Sequence, residues 1–65
     1  MKVFGELHPK VAIHYNNLGF AFKVLGDAQK AIEFYNKALA IFKQVFGDEH
    51  PHTQLVAKNI AAINE

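Results

Sequence analysis

The sequence contains the heptapeptide VFGELHP at residues 3–9, which returns in nearly the same form as VFGDEHP at residues 45–51. The offset between the two copies is 42 residues. Periods of about 20–50 residues are typical of repeat proteins, in which each unit packs on its neighbours. The sequence therefore predicts a repeat architecture. The same spacing relates three further pairs: Ile13 with Leu55, Asn17 with Asn59, and Leu18 with Ile60.

The spacing of apolar residues predicts three helices, at residues 10–25, 28–46 and 51–64. Pro9 and Pro51 suit the first turn of a helix, where an N–H is not needed. Gly26 and Asp27 separate the first two helices, because glycine suits a helix C-terminus and aspartate caps a helix N-terminus. Gly47 ends the second helix. The short connection predicts that the first two helices are antiparallel neighbours.

Length and composition narrow the class of protein. The 65 residues allow one domain, residues 1–65, and contain no cysteine for a disulfide or a thiolate metal site. The formal net charge is +1, and all seven basic residues are scattered lysines, which disfavours nucleic-acid binding. No secretory signal and no membrane-spanning run is visible, so a cytoplasmic location without a membrane partner is expected.

A second pattern runs through the first two predicted helices. It resembles the tetratricopeptide repeat, a helix hairpin with the spacing W-x2-L-G-x2-Y, A-x3-F and A. The resemblance implies an all-α fold of about one and a half repeats. Its small residues allow close helix crossings, and its large residues, Leu18 among them, are expected to fill the space beside those crossings. The pattern here is Tyr15-x2-Leu18-Gly19-x2-Phe22, Ala31-x3-Tyr35 and Ala38.

The period indicates a subtype of this family. It exceeds the usual length of about 34 residues, and Lys43 stands where a proline commonly closes the shorter unit. The G-x-x-H-P turn, together with Asn-Asn-Leu-Gly at residues 16–19, is similar to the extended repeats of kinesin light chains. Both ends of the sequence fall inside the repeat frame, so we expect an excised or engineered piece of a longer array, or else a natural three-helix protein.

The resemblance implies a function in protein–protein interaction, through a concave groove that binds a peptide or a partner protein. Asn17 and Asn59 are equivalent in the two repeats and are expected to form a short ladder, whose amides could bond a peptide backbone. Alternatively, they bond a neighbouring helix or stay solvated. Lys23 and Lys58 favour an acidic peptide, although no carboxylate clamp is evident. The positions of this sequence that match the groove-lining positions of the family are Ile13, Asn16, Asn17, Phe20, Lys23, Val24, Leu55, Lys58, Asn59 and Ala62.

The four histidines and the few nucleophiles suggest no catalytic centre. His8 and His50 precede proline in both repeats, which predicts that they cap a helix or pack on the preceding turn. His50 and His52 with the nearby acids could suggest a metal, but the equivalent of His52 is Lys10. Thr53 has no obvious base beside it. We expect no enzyme activity, no cofactor and no metal.

Unpaired apolar surface predicts self-association, because repeat proteins usually need about three units for stability. Phe34 and Ile41 are expected to form one apolar row on the second helix. A further row on the first helix contains Ile13, Phe20 and Val24. The third helix could cover one of these rows but not both, so at least one row should stay exposed. A homo-oligomer could stack end to end or exchange a helix by opening at residues 26–27 or 47–48. In this alternative reading, self-assembly is the whole function.

Overall fold

The computed structural model describes residues 8–64, and within that range the chain forms three α-helices. Helix α1 spans Pro9–Val24, α2 spans Ala28–Phe46 and α3 spans Pro51–Asn64. The predicted helices are confirmed to within one residue at each end. Residues 3–7, the greater part of the first heptapeptide, lie outside the described range.

The turn between α1 and α2 is closed by the groups that the sequence predicted. Leu25 is the C-cap of α1, and Gly26 follows with a φ of +89°, a conformation that L side chains rarely adopt. The N–H of Asp27 donates to the carbonyl of Phe22 at 2.8 Å, and that of Gly26 donates to Lys23 at 3.0 Å. This is a Schellman motif. The carboxylate of Asp27 then accepts from Lys30 N at 3.2 Å and caps α2.

Helix α2 is the centre of the molecule, because it packs against both α1 and α3. Gly19 of α1 lies directly against the ring of Tyr35, which is 1% exposed. On the other side, Phe42 packs near His52 of α3 with ring centroids 5.5 Å apart. The buried apolar residues are Ala12, Ala31, Tyr35, Ala38, Ile41, Phe42 and Val56.

The expectation that Phe34 and Ile41 form an open row for self-association is wrong. Ile41 is only 5% exposed and belongs to the core. Phe34 is half-buried, and its ring stacks on Tyr15 and Phe22 of α1 at centroid distances of 5.9 and 5.5 Å. Both residues are therefore covered, wholly or in part, by other parts of the same chain.

Leu18 also departs from its expected place. The repeat pattern assigned it to the space beside a helix crossing, but its side chain is 42% exposed. The aromatic residues Tyr15 and Phe22, on the side of α1 that faces α2, fill the crossing instead. Leu18 lies on another face of α1, and the described part of the chain has no helix that buries it.

Candidate functional site

The predicted groove positions of α1 recur at three- and four-residue spacing, so they share one face of that helix. Three apolar side chains on it are open to solvent: Ile13, Phe20 and Val24 are 45%, 59% and 68% exposed. Asn17 and Lys23 are exposed on the same face, and Asn16 is half-buried. Helix α1 therefore presents a mixed surface, apolar along its length and polar at intervals.

Helix α3 contributes a second set of side chains. Leu55 is 50% exposed, Lys58 and Ala62 are exposed, and Asn59 is half-buried. The two lysines, Lys23 and Lys58, are the charged residues among the ten predicted groove positions. The surface formed by these positions on α1 and α3, which we call the α1–α3 face, is therefore positively charged.

One hydrogen bond links the two helices across this face. The amide Nδ2 of Asn59 donates to Oδ1 of Asn16 at 3.4 Å. The bond is long, but it joins residues 43 positions apart, and so it brings the α1 and α3 parts of the face together. An asparagine amide has two donor hydrogens and an acceptor oxygen, so both side chains retain further bonding capacity.

This bond revises the predicted ladder. The repeat makes Asn59 equivalent to Asn17, yet the structure places it against Asn16, one residue earlier. The alternative prediction, a hydrogen bond to a neighbouring helix, therefore holds for Asn59. Asn17 is exposed to solvent. The sequence held no signal for the contact, because the repeat equivalent of Asn16 is Lys58.

The His-Pro turns lie at the N-termini of the same two helices. Nδ1 of His8 accepts a hydrogen bond from Lys10 N at 3.1 Å, and Nδ1 of His50 accepts one from His52 N at 3.1 Å. The predicted capping role is confirmed for both. The ring of His50 also stacks on Phe46 with centroids 4.1 Å apart. Within residues 8–64, no three His, Cys, Asp or Glu residues cluster as a metal site.

Thr53 is a feature of α3 that sequence reasoning treated only as a possible nucleophile. It is 3% exposed at the contact with α2, and its Oγ1 has no hydrogen-bond partner. Burial keeps this hydroxyl away from any substrate on the α1–α3 face. The signal that could have predicted its burial is its repeat equivalent, Val11, an apolar residue.

Comparison with known families agrees with this geometry. The family model described as Tetratricopeptide repeat matches residues 1–44 and residues 10–65. Together the two matches span the sequence, and the chain belongs to the tetratricopeptide repeat family. Repeats of this family are non-catalytic and generally mediate protein–protein interaction. Comparisons with curated proteins and with solved structures found no match. None of the described helices is long and apolar enough to cross a membrane.

Proposed function

We propose that the α1–α3 face binds an extended segment of another protein. The observation that carries this proposal is the hydrogen bond from Asn59 to Asn16. This bond joins α1 to α3, so that their exposed side chains make one surface instead of two separate helix faces. An extended peptide that lies on this surface can contact both helices at the same time.

The apolar part of the face would supply much of the binding energy. Phe20, Val24 and Leu55 are each at least half exposed in the described structure. Each of them loses contact with water when a peptide covers it, and burial of apolar area contributes about 25 cal/mol per Å². Exposed apolar patches with a polar rim are typical of protein interaction sites.

The polar part of the face would set the orientation and charge of the ligand. The exposed amide of Asn17 can donate to a peptide carbonyl and accept from a peptide N–H. It can therefore hold a backbone without reading its side chains. Lys23 and Lys58 would attract acidic side chains and raise the rate of encounter with an acidic partner. The proposed ligand is therefore an extended, acidic peptide segment with apolar residues.

We also assign the chain to the extended, kinesin-light-chain-like type of the repeat. The period of 42 residues supports this assignment, and so does the length of α2, which runs for 19 residues and passes Lys43 without a break. A longer α2 carries Phe42 and Phe46 to the α2–α3 turn, where they meet His52 and His50.

A selection of displayed random peptides on the intact chain, followed by titration of the best peptide, tests the groove. We expect Asn17→Ala to weaken binding about 2- to 10-fold, the usual worth of a hydrogen bond, with unchanged helicity. Asn36→Ala is the matched control, because Asn36 is an exposed asparagine on α2. Amide shifts confined to α1 and α3 would support the site. Equal loss in both variants, or shifts centred on α2, would refute it.

Self-association through α1 is the second candidate, and the exposure of Ile13, Phe20 and Val24 supports it. Light scattering over a concentration series decides between the two. A dimer that Phe20→Ser returns to a monomer would place the interface on α1. A monomer at every concentration would leave the α1–α3 face free for a peptide.

A further inference from the structure

The two lysines of the α1–α3 face lie on different helices, and the packing of those helices sets the distance between them. Lys23 lies in the last turn of α1, Lys58 lies near the middle of α3, and both are exposed. On the basis of the function proposed above, we infer that the face selects peptides with two acidic residues four positions apart and an apolar residue midway between them.

The hydrogen bond between Asn16 and Asn59 shows which parts of the two helices lie at the same level. The chain reverses at both short turns, so α1 and α3 run in the same general direction. Nδ2 of Asn59 lies 3.4 Å from Oδ1 of Asn16. Asparagine side chains are short, so the two helix axes are about 10 Å apart at this point, the ordinary separation of neighbouring helices.

The positions of the two lysines follow from this level. Lys58 immediately precedes Asn59 in the sequence, so its backbone is nearly level with Asn16. Lys23 follows Asn16 by seven residues, almost two full turns, and therefore lies on the same side of α1, about 10 Å further along the helix. This rise, combined with the separation of about 10 Å between the helices, gives a diagonal of about 14 Å between the backbones of the two lysines.

An extended peptide spans this diagonal in about four residues, because each residue adds about 3.3 Å. A helical peptide rises only about 1.5 Å per residue and would need about nine. The flexible lysine stems adjust the span by roughly one residue either way, so distance alone allows separations of about three to five. Alternation then selects four, because residues four apart point to the same side of an extended chain and residues three or five apart point to opposite sides.

The peptide residue midway between the two acids points to the same side as they do. Phe20 lies between Asn16 and Lys23 along α1 and is 59% exposed, so this middle side chain meets an aromatic surface. An apolar residue there removes area of Phe20 from water, which is favourable. The exposed amide of Asn17, one residue after Asn16, can bond the peptide backbone between the acids. The selected pattern is therefore acidic, any, apolar, any, acidic.

A set of labelled peptides, titrated against the intact chain at low salt, tests this spacing. Each peptide is capped at both ends and consists of serines and threonines with two aspartates and one leucine. The leucine stays two positions after the first aspartate, and the second aspartate moves from three to ten positions away. We expect the affinity to peak at four, with separations of three and five about 2- to 5-fold weaker, the usual worth of one exposed ion pair. Added salt should flatten the peak, because it screens exposed charges.

Variants of the two lysines show whether the peak comes from this face. In Lys23→Gln, and likewise in Lys58→Gln, one of the two aspartates loses its partner, so the peak at four should disappear while weaker binding persists. Glutamine is as good a helix former as lysine, so these changes at exposed positions should leave the fold intact. Lys37→Gln is the matched control, because Lys37 is an exposed lysine of α2 and the change in net charge is the same. It should keep the peak.

The possible results distinguish failure of the spacing from failure of the peptide site itself. Equal affinity at every separation would refute the spacing and leave the peptide site in place. A peak at nine or ten positions would refute it in favour of a helical ligand. A peak that survives in both Lys23→Gln and Lys58→Gln, or that Lys37→Gln abolishes, would overturn the assignment to this face. Undiminished affinity when the leucine moves by one position would overturn the apolar residue of the pattern, and no binding by any peptide would refute both proposals.

Discussion

At the scale of single residues, Gly19 is the position where side-chain size decides the fit of α1 on α2. A Cβ at this site would lie 2.7 Å from Cδ1 of Tyr35 and 2.8 Å from Cε1. The ring is fully buried and has little room to move. Alanine gains about 1 kcal/mol of helix propensity, but overpacking costs about 1–3 kcal/mol. We expect Gly19→Ala to lower the free energy of unfolding by up to about 2 kcal/mol, measured with urea.

The control for this change lies one repeat further on. Ala61 is the equivalent of Gly19 and is exposed on α3. Ala61→Gly should cost only the helix propensity, at most about 1 kcal/mol, because Ala61 is exposed. A stabilising effect of Gly19→Ala would mean that Tyr35 yields, and that the close crossing does not need glycine.

Thr53 is a residue whose hydroxyl weakens the α2–α3 contact. Its Oγ1 is buried without a partner, and an unsatisfied buried polar group costs about 1–3 kcal/mol. We expect Thr53→Val, which keeps the shape and removes the hydroxyl, to raise the free energy of unfolding by about 1 kcal/mol. Chemical denaturation measures the change. Thr53→Ser keeps the hydroxyl and loses a methyl group, so it should be less stable than the natural chain.

At the scale of helices, the repeat supplies a pair of equivalent residues with different neighbours. Ile60 of α3 is half-buried and packs on the core, while Leu18 of α1 is 42% exposed. Truncating a buried aliphatic side chain leaves a cavity. We expect Ile60→Ala to lower the free energy of unfolding by about 1–2 kcal/mol, and Leu18→Ala by about 0.5 kcal/mol or less. Equal losses in the two urea curves would mean that Leu18 is covered.

The same pair explains which parts of the fold the sequence could predict. The helix ends follow from local signals, Pro9, Gly26, Asp27 and Gly47, and they are correct to within one residue. The exposure of Leu18 is not a local property, because a periodic pattern identifies a face without saying whether a helix covers it. The prediction that Ile41 is exposed was wrong for the converse reason, because its burial comes from the packing of α2 with the rest of the core.

The candidate site depends even more on packing between helices. The residue types of the α1–α3 face could be chosen from the repeat, but the contact of Asn59 with Asn16 could not. The positions of Asn16 and Asn59 relative to one another depend on how α1 and α3 each pack on α2. Gly19 determines the packing of α1, and Val56 belongs to the buried face of α3. A shift of one residue between equivalent positions leaves no trace in the sequence spacing.

At the scale of the whole molecule, the part of the chain that the structure describes is thin. It measures 36 × 24 × 12 Å along its principal axes, so its shortest dimension is close to one helix diameter. A molecule this thin can bury few residues. Most of its buried residues therefore lie on α2, the helix that packs against both of the others. We therefore expect a small free energy of unfolding for a domain of this size. The titration of a single side chain should then be visible in a denaturation curve.

Tyr35 is a titratable residue buried in the core on α2. Its ionisation is expected to lower the stability of the protein at alkaline pH. Burial raises the pKa of the Tyr35 phenol above its ordinary value of 10.0, because the phenolate loses solvation. On raising the pH, the Tyr35 phenol therefore ionises first in the unfolded chain. The stability that the neutral, buried phenol contributes is complete below about pH 10 and is lost as the pH rises through the raised pKa.

We expect the free energy of unfolding to fall above pH 10, and Tyr35→Phe to make this fall with pH less steep. Tyr15→Phe is the control, since lysine deprotonation affects both variants alike. A slope unchanged in Tyr35→Phe would show that alkaline unfolding does not depend on this buried ring.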